Sequence, residues 1–512
     1  MRPALLIPLL LCAEAARAGR VLDILELRVS GVEHLTALEV ETVLMPFLGP
    51  ARPIEDIEKA RLALEKAYSD KGYQSVAVAI PPQTVREGVV LLTASEGKVG
   101  RLRVRGAHWF LPSGIKNDAP SLAEGSLPNF NDIARDIATL NRLPDRRVTP
   151  ALRAGVEPGT IDVDLNVQDR APLHGSLELN NRYSPGTTHQ RVTGTLRYDN
   201  LWQAGHSLSI AFQVAPARNQ DGKVFSASYL ARFADAPWLS VLATGLVQDS
   251  DISTLGGTAV IGRGRIFGGH ATFTLPSSVG LFHTITAGVD YKHFGKEIEA
   301  DPFALPIVYW PLSLQYAASF SSESWQAQAG ATGVMGLRGL GSSDDAFDAR
   351  RYKASASFAY LRFEGAGTQE LPARLQLSGR MQGQYSGDPL VPSEQLTAGG
   401  AESVRGYLEA QAAGDLGLVA SLELRSPSAA RWLGSWVDEL RAHVFVDGAR
   451  VTLQDGLPEQ NHIFVLLSTG AGCRARLFDH LSGSFDLGVP LRNLGATQRF
   501  HAHGHFRIQG EF

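Results

Sequence analysis

Past Asp169 the helical period disappears and the chain alternates, which restricts its fold more than any other feature. Between Ala373 and Tyr385, Ala373, Leu375, Leu377, Gly379, Met381, Gly383 and Tyr385 take one face. Arg374, Gln376, Ser378, Arg380, Gln382 and Gln384 take the other. Leu208, Ile210, Phe212 and Val214 alternate in the same way with Ser207, Ser209, Ala211 and Gln213. Alternation alone fits a soluble sandwich, with one face buried and one wet, as well as a membrane barrel with one face in lipid and one in a polar lumen. The longer run exceeds the usual soluble strand of about 5–6 residues and suits a tilted bilayer crossing of about 9–11. Its arginines and glutamines suit a watery channel. The chain also alternates to its end, His505-Phe506-Arg507-Ile508-Gln509-Gly510-Glu511-Phe512. A soluble terminus usually frays, whereas the last strand of a barrel has to pair, so Phe506, Ile508 and Phe512 are assigned to a closing strand. At about 20–22 residues per crossing and its turn, the roughly 340 residues after Asp169 predict about 16 antiparallel strands. Long loops are expected at Asp301–Leu312 and Gly339–Ala349.

The start of the chain supports export. Arg2, the apolar run Ala4–Leu11 and the small-x-small sequence Ala16-Arg17-Ala18 predict a signal peptide over residues 1–18, with Gly19 as the mature N-terminus. Cys12 follows the bulky Leu11, which argues against a lipoprotein. Of the 2 cysteines only Cys473 is then left, so no internal disulfide is expected. No later stretch has the roughly 18 apolar residues of a spanning helix, leaving a soluble exported protein or a closed barrel. The formal charge of −4 gives no reason to expect nucleic acid.

Between Leu22 and Gln168 strand and helix periods follow each other twice. The first round reads as a strand Ile24–Val29, a helical stretch Leu35–Leu48, and a helix opened by Pro53 with Ile54, Ile57, Leu64 and Tyr68 on one face. Gly72 ends that helix, and strands Ser75–Ile80 and Gly88–Thr93 follow. The second round has a strand Gly100–Arg105, a short helix Pro112–Ala119, and an amphipathic helix with Phe130, Ile133, Ile137 and Leu140 on one face. Strands Val148–Ala154 and Ile161–Val167 complete it. This order resembles the POTRA domain, with residues 19–97 and 98–169 as two such α+β units and 170–512 as the barrel. Such units bind extended polypeptide along a strand edge or groove; plain spacers are the alternative.

Two short segments carry the functional expectation. In AGGAESVRGYLEA, Arg405 lies between glycines that allow sharp turns, Gly399, Gly400 and Gly406. In His443–Gly448, Arg441, His443, Phe445 and Asp447 share one face and Ala442, Val444 and Val446 the other, which turns Asp447 into the lumen. A carboxylate there needs a partner, and Arg405 on an inward-folded loop is the candidate.

Val404-Arg405-Gly406-Tyr407 resembles the VRGY/F loop signature, and Phe445-Val446-Asp447-Gly448 the F-x-D-G strand signature, of two-partner secretion transporters. These are the haemolysin-activator and filamentous-haemagglutinin exporters of the outer-membrane assembly-barrel superfamily. Gly72-Tyr73, Pro81-Pro82-Gln83 and Gly88-Val89-Val90 resemble that family's first POTRA domain. The resemblance implies an outer-membrane location in a Gram-negative bacterium with the POTRA domains in the periplasm. It also implies a secreted partner bound as an extended chain, and insertion by the barrel-assembly machinery. Arg405 is the implied loop tip, Asp447 its partner on the wall. A pore-plugging helix before the first POTRA domain is not expected here, which leaves the inward loop as the main obstruction. An insertase for other barrels and a passive porin are the alternatives.

No G-x-S-x-G, H-E-x-x-H or G-x-x-x-x-G-K-[ST] motif is present, so neither an enzyme nor a cofactor is expected. His501, His503 and His505 are spaced to share one face and read as polar lumen residues, with a metal site as the alternative.

Overall fold

The computed structural model describes residues 21–250, 252–255, 260–295 and 306–512. The expected signal peptide and residues 301–305 of the first expected loop lie outside them. The chain forms two compact units that divide between Ala171 and Pro172.

The first unit contains two three-stranded sheets with helices. In one, the central strand Val89–Ser95 runs parallel to Glu26–Ser30 and antiparallel to Ala77–Ala79. The helix Glu55–Asp70 covers it through Ile57, Ala60, Leu64 and Tyr68, a spacing of three to four that lines one helical face. Ile54 is the exposed N-cap residue rather than part of that stripe, and Pro53 ends a strand instead of opening the helix. The helix Ala37–Leu44 starts from a reciprocal Thr36–Glu39 capping box. Gly72, at φ +94°, terminates the longer helix by donating to the Ser69 carbonyl.

The expected strand Ile24–Val29 is broken at Leu25, because Leu25 and Glu26 both donate to the Gly88 carbonyl. Val21–Ile24 pairs instead with Gly49–Pro53, a strand the sequence did not reveal. Glu96 anchors this domain. Burial opposes its charge but is outweighed by donation from the Tyr68 hydroxyl, the Glu33 and His34 amides and the His34 ring, which hold its carboxyl at about 2.

In the second sheet Thr160–Asp169 is central, parallel to Lys98–Arg105 and antiparallel to Arg146–Ala154. Val163, Leu165 and Val167 face a core shared with Ile133 and Leu140 of the helix Phe130–Leu140. The order strand, helix, helix, strand, strand is the one expected in each round, with the additional 49–53 strand in the first.

The second unit is a closed barrel of 16 antiparallel strands joined in sequence order, from Leu173–Asn180 to His503–Glu511. The last strand pairs with the first through Arg507↔Asn180 to Glu511↔Ser176, and the Phe512 amide donates to the Gly175 carbonyl beyond it. Closure removes the free edges that lipid could not satisfy. Leu418, Leu422, Val444, Val446, Phe485 and Leu487 point outward, exposed. Ser421, Glu423, His443, Asp447 and Asp486, on the alternate positions of the same strands, point inward and are buried. Trp202, Trp238, Trp325, Trp432 and Trp436 all lie at the short-turn end, where a barrel meets the interface between lipid and water.

Three local expectations are corrected. The strand in the long alternating run is Gln376–Ser386; Pro372–Arg374 forms a turn in which Ala373 and Arg374 take φ of +62° and +60°. Ile307–Leu312 belongs to the strand Ile307–Ser321 rather than to a loop. The segment 339–349 holds the end of the strand Trp325–Gly341 and the helix Asp344–Arg350.

Candidate functional site

The connection between the strands Gln376–Ser386 and Leu416–Arg425 does not stay outside the barrel wall. It folds inward, with a small hairpin of Leu396–Ala398 against Ala412–Gly414 and the tip Val404–Tyr407 beyond it. Gly399 and Gly400, at φ +105° and +109°, make the turns that a side chain would resist. Val404 and Tyr407 are fully buried with Val451 and Leu466 of the wall, so the tip is fixed by packing as well as by charge.

Arg405 is 1 % exposed and Asp447 0 %. The Arg405 Nε donates to Asp447 Oδ2 at 2.8 Å and Nη2 to Oδ1 at 2.9 Å, a bidentate pair, while its backbone N–H donates to Oδ2 at 3.0 Å. Nη1 donates to Glu423 Oε2 at 2.8 Å and to Asp486 Oδ1 at 3.2 Å, and Nη2 to Ser421 Oγ at 3.2 Å. All five guanidinium donors are thereby used. The Phe445 ring lies 3.4 Å from the guanidinium carbon and shields its face. Phe445 and Asp447 share the inward face because they are two apart in the strand Val437–Thr452. Gly448, next along, falls on the outward face and pairs with Ala420 and Leu467.

The rest of the tip is held with similar economy. The Gly406 amide donates to His505 Nε2 at 3.0 Å, and the Tyr407 hydroxyl donates to the Arg492 carbonyl at 2.9 Å. Gly406 has φ +92° and lies against Gly488, where a Cβ would come within 2.5 Å of the Gly406 nitrogen. Farther along the loop, buried Glu409 accepts from Arg182 Nε at 3.2 Å and from the Ala401 amide at 3.0 Å.

The structure therefore brings Val404, Arg405, Gly406 and Tyr407 together with Phe445 and Asp447. It places Phe506 and Ile508 on the closing strand and Phe512 just past its end. His501 does not share a face with the other two histidines: the turn at Phe500, φ +66°, leaves it exposed before the last strand begins at His503. His505 is engaged with the loop tip, and its ring lies 4.7 Å from that of His503.

Sequence reasoning missed Glu423, Asp486, Ser421 and Gly488. For Ser421 and Glu423 the available signal was an inward position on the strand that pairs with Asp447's own, and for Asp486 an inward position two strands away; for Gly488 there was none, since its role depends on a backbone distant in sequence.

Residues 305–475 match the sequence model of the haemolysin secretion/activation proteins ShlB/FhaC/HecB, and residues 22–97 that of the ShlB-type POTRA domain. The outer membrane transporter CdiB of Dickeya dadantii is 25 % identical over 432 residues, which is 79 % of this chain and 72 % of that protein. CdiB of Escherichia coli is 24 % identical over 506 residues, 93 % of this chain and 80 % of the relative. A solved structure of CdiB from Escherichia coli superposes with a TM-score of 0.66 at 19 % identity, covering 98 % of this chain and 92 % of the other. BamA of Haemophilus ducreyi lacking POTRA domains 1–3 gives 0.57 at 16 % identity, over 96 % and 100 %, a likeness of fold alone. An inward loop bearing Val404–Tyr407, a POTRA front and a closed barrel of 16 strands thus coincide with these matches: the chain is an outer-membrane transporter of the two-partner secretion type, similar to the ShlB/FhaC/HecB proteins over residues 305–475.

Proposed function

We propose that the protein carries an unfolded secreted partner from the periplasm to the cell surface, and that the segment 387–415 obstructs the lumen at rest and rearranges as the partner passes. The observation that carries this reading is the seat of Arg405, a guanidinium with every donor engaged at the wall of a polar channel. Leaving Asp447 buried without that partner costs about 3–5 kcal/mol, so the seat defines one stable loop position that has to be exchanged for another. The two front domains supply the docking surface. Among the described residues Glu26–Ser30 and Ala77–Ala79 each pair on one side only, which supports binding of an extended chain by strand addition. Outside the cytoplasm no nucleotide supplies energy, and folding of the partner at the surface drives its exit. Insertion of the barrel itself falls to the barrel-assembly machinery, and lipid covers the outward face.

The test is release of a large secreted protein encoded beside this one, from a host with and without the barrel. Release that depends on the barrel is expected. Arg405→Ala and Asp447→Ala should each lower it by more than about tenfold, the factor set by about 1.4 kcal/mol, while the barrel stays inserted. Unchanged release in both variants would remove the pair from the mechanism. Absent release with altered levels of other barrels would identify an insertase instead.

A further inference from the structure

The loop that presents Arg405 is gripped a second time, at its other end. Glu394, in the short turn Pro392–Glu394, is 1 % exposed. Its Oε1 accepts from Lys292 Nζ at 2.7 Å and from the Tyr309 hydroxyl at 2.6 Å, and its Oε2 from the Tyr360 hydroxyl at 2.7 Å. Those donors stand on three separate barrel strands, Leu281–Phe294, Ile307–Ser321 and Ala359–Glu370. The Glu394 carbonyl accepts from Gln384 Nε2 at 3.0 Å, and the Tyr309 hydroxyl also meets Ser393 Oγ at 2.8 Å. Phe294, Phe347, Phe358, Leu390 and Val391 close an apolar shell around the cluster.

This arrangement is not ordinary lumen lining. Lumen-facing Arg380 and Arg474 keep more than a third of their side chains in water, whereas Glu394 has surrendered its hydration to one ammonium and two phenols. A carboxylate is stable in such a place only while those partners stay. None of its side-chain partners lies on the strands that bind the Arg405 side chain, Leu416–Arg425, Val437–Thr452 and Leu481–Pro490. A second carboxylate, Asp415, ties the two limbs of the loop: it accepts from the Leu390 amide at 2.9 Å and Gln395 Nε2 at 3.0 Å on one limb, and from the Gln454 amide at 2.7 Å on the neighbouring connection.

We infer that Glu394 is a positioning residue, an anchor for the inward loop that acts independently of Arg405 and holds the descending limb 390–396 in the lumen. This rests on reading the segment 387–415 as the obstruction. Glu394→Ala removes the acceptor of three donors and leaves the partly buried Lys292 without this counter-charge; Glu394→Gln keeps hydrogen bonds but leaves the same charge. Lys292→Met combined with Glu394→Gln removes both charges together.

The experiment uses the full chain, purified as a folded barrel and without any cargo, so it stands apart from the secretion assay. Hydrogen–deuterium exchange is read at residues 387–398 and 403–408, and single-channel conductance in a planar bilayer. The expected result for Glu394→Ala and Glu394→Gln is exchange at 387–398 faster by about tenfold or more, with 403–408 still protected and more frequent or larger openings. The double variant should return both readouts toward wild type. Unchanged exchange and conductance in a folded Glu394→Ala barrel would overturn the inference, as would simultaneous release of both segments. If Glu394→Ala fails to fold, Tyr360→Phe, which removes one donor, is subject to the same two criteria. Loss of secretion in the wild-type assay would count against the transport reading and leave this one to its own data.

Discussion

Arg405 uses five donors on three carboxylates and a hydroxyl, and that geometry belongs to a guanidinium alone. A lysine keeps the charge but offers three donors from one point, so it cannot span Asp447, Glu423 and Asp486 together. Arg405→Lys is therefore expected to resemble Arg405→Ala in secretion, with most of the activity lost; near-normal release would mean that charge, not planarity, is what the seat requires. Asp447 was legible from the sequence because strand alternation fixes which way a side chain points. Glu423 and Asp486 were not, although both alternate in the same way, because nothing local says which inward acids a loop tip will reach. Glu394 lay further from sight still: its three donors come from residues 292, 309 and 360, and no periodicity links them.

Among the elements, the barrel strands were the most readable and the connections the least. Period-two alternation survives because every strand has lipid on one side and polar lumen on the other. The errors fall where a turn borrows the same pattern, as at Ala373–Leu375, or where a strand outruns the bilayer, as at Ile307–Leu312. In the front unit the strand Gly49–Pro53 escaped notice because two prolines and a glycine in five residues carry no strand signal. The inward loop depends on another glycine of this unreadable sort. A Cβ on Gly488 would sit 2.5 Å from the Gly406 nitrogen and 2.7 Å from the Arg405 carbonyl carbon, both backbone atoms that cannot swing away. Gly488→Ala should displace the tip at a cost of about 1–3 kcal/mol, seen as faster exchange of the Gly406 amide and reduced secretion. A protected amide and normal secretion would show that the strand Leu481–Pro490 yields instead.

For the whole molecule, the division at Ala171 and Pro172 separates two sets of contacts, each with its own core clusters. A chain lacking residues 21–171 but keeping its export signal should insert as a heat-modifiable barrel and export nothing. Export that continued would take the docking role away from the front unit. The overall architecture is legible in the sequence because the front unit runs twice through one order of strand and helix periods, whereas the barrel keeps a period of two.

The two grips on the inward loop have a mechanical corollary for the barrel. Glu394 is fastened to the sector of wall that carries Lys292, Tyr309 and Tyr360, and Arg405 to the sector that carries Glu423, Asp447 and Asp486. A chain segment fixed at both ends inside a cylinder is a strut: it resists flattening of the cross-section along its own line. While both ends hold, the strut is expected to limit flattening of the wall; with either end released, the same closed wall should deform more easily, changing the bore before any strand has parted.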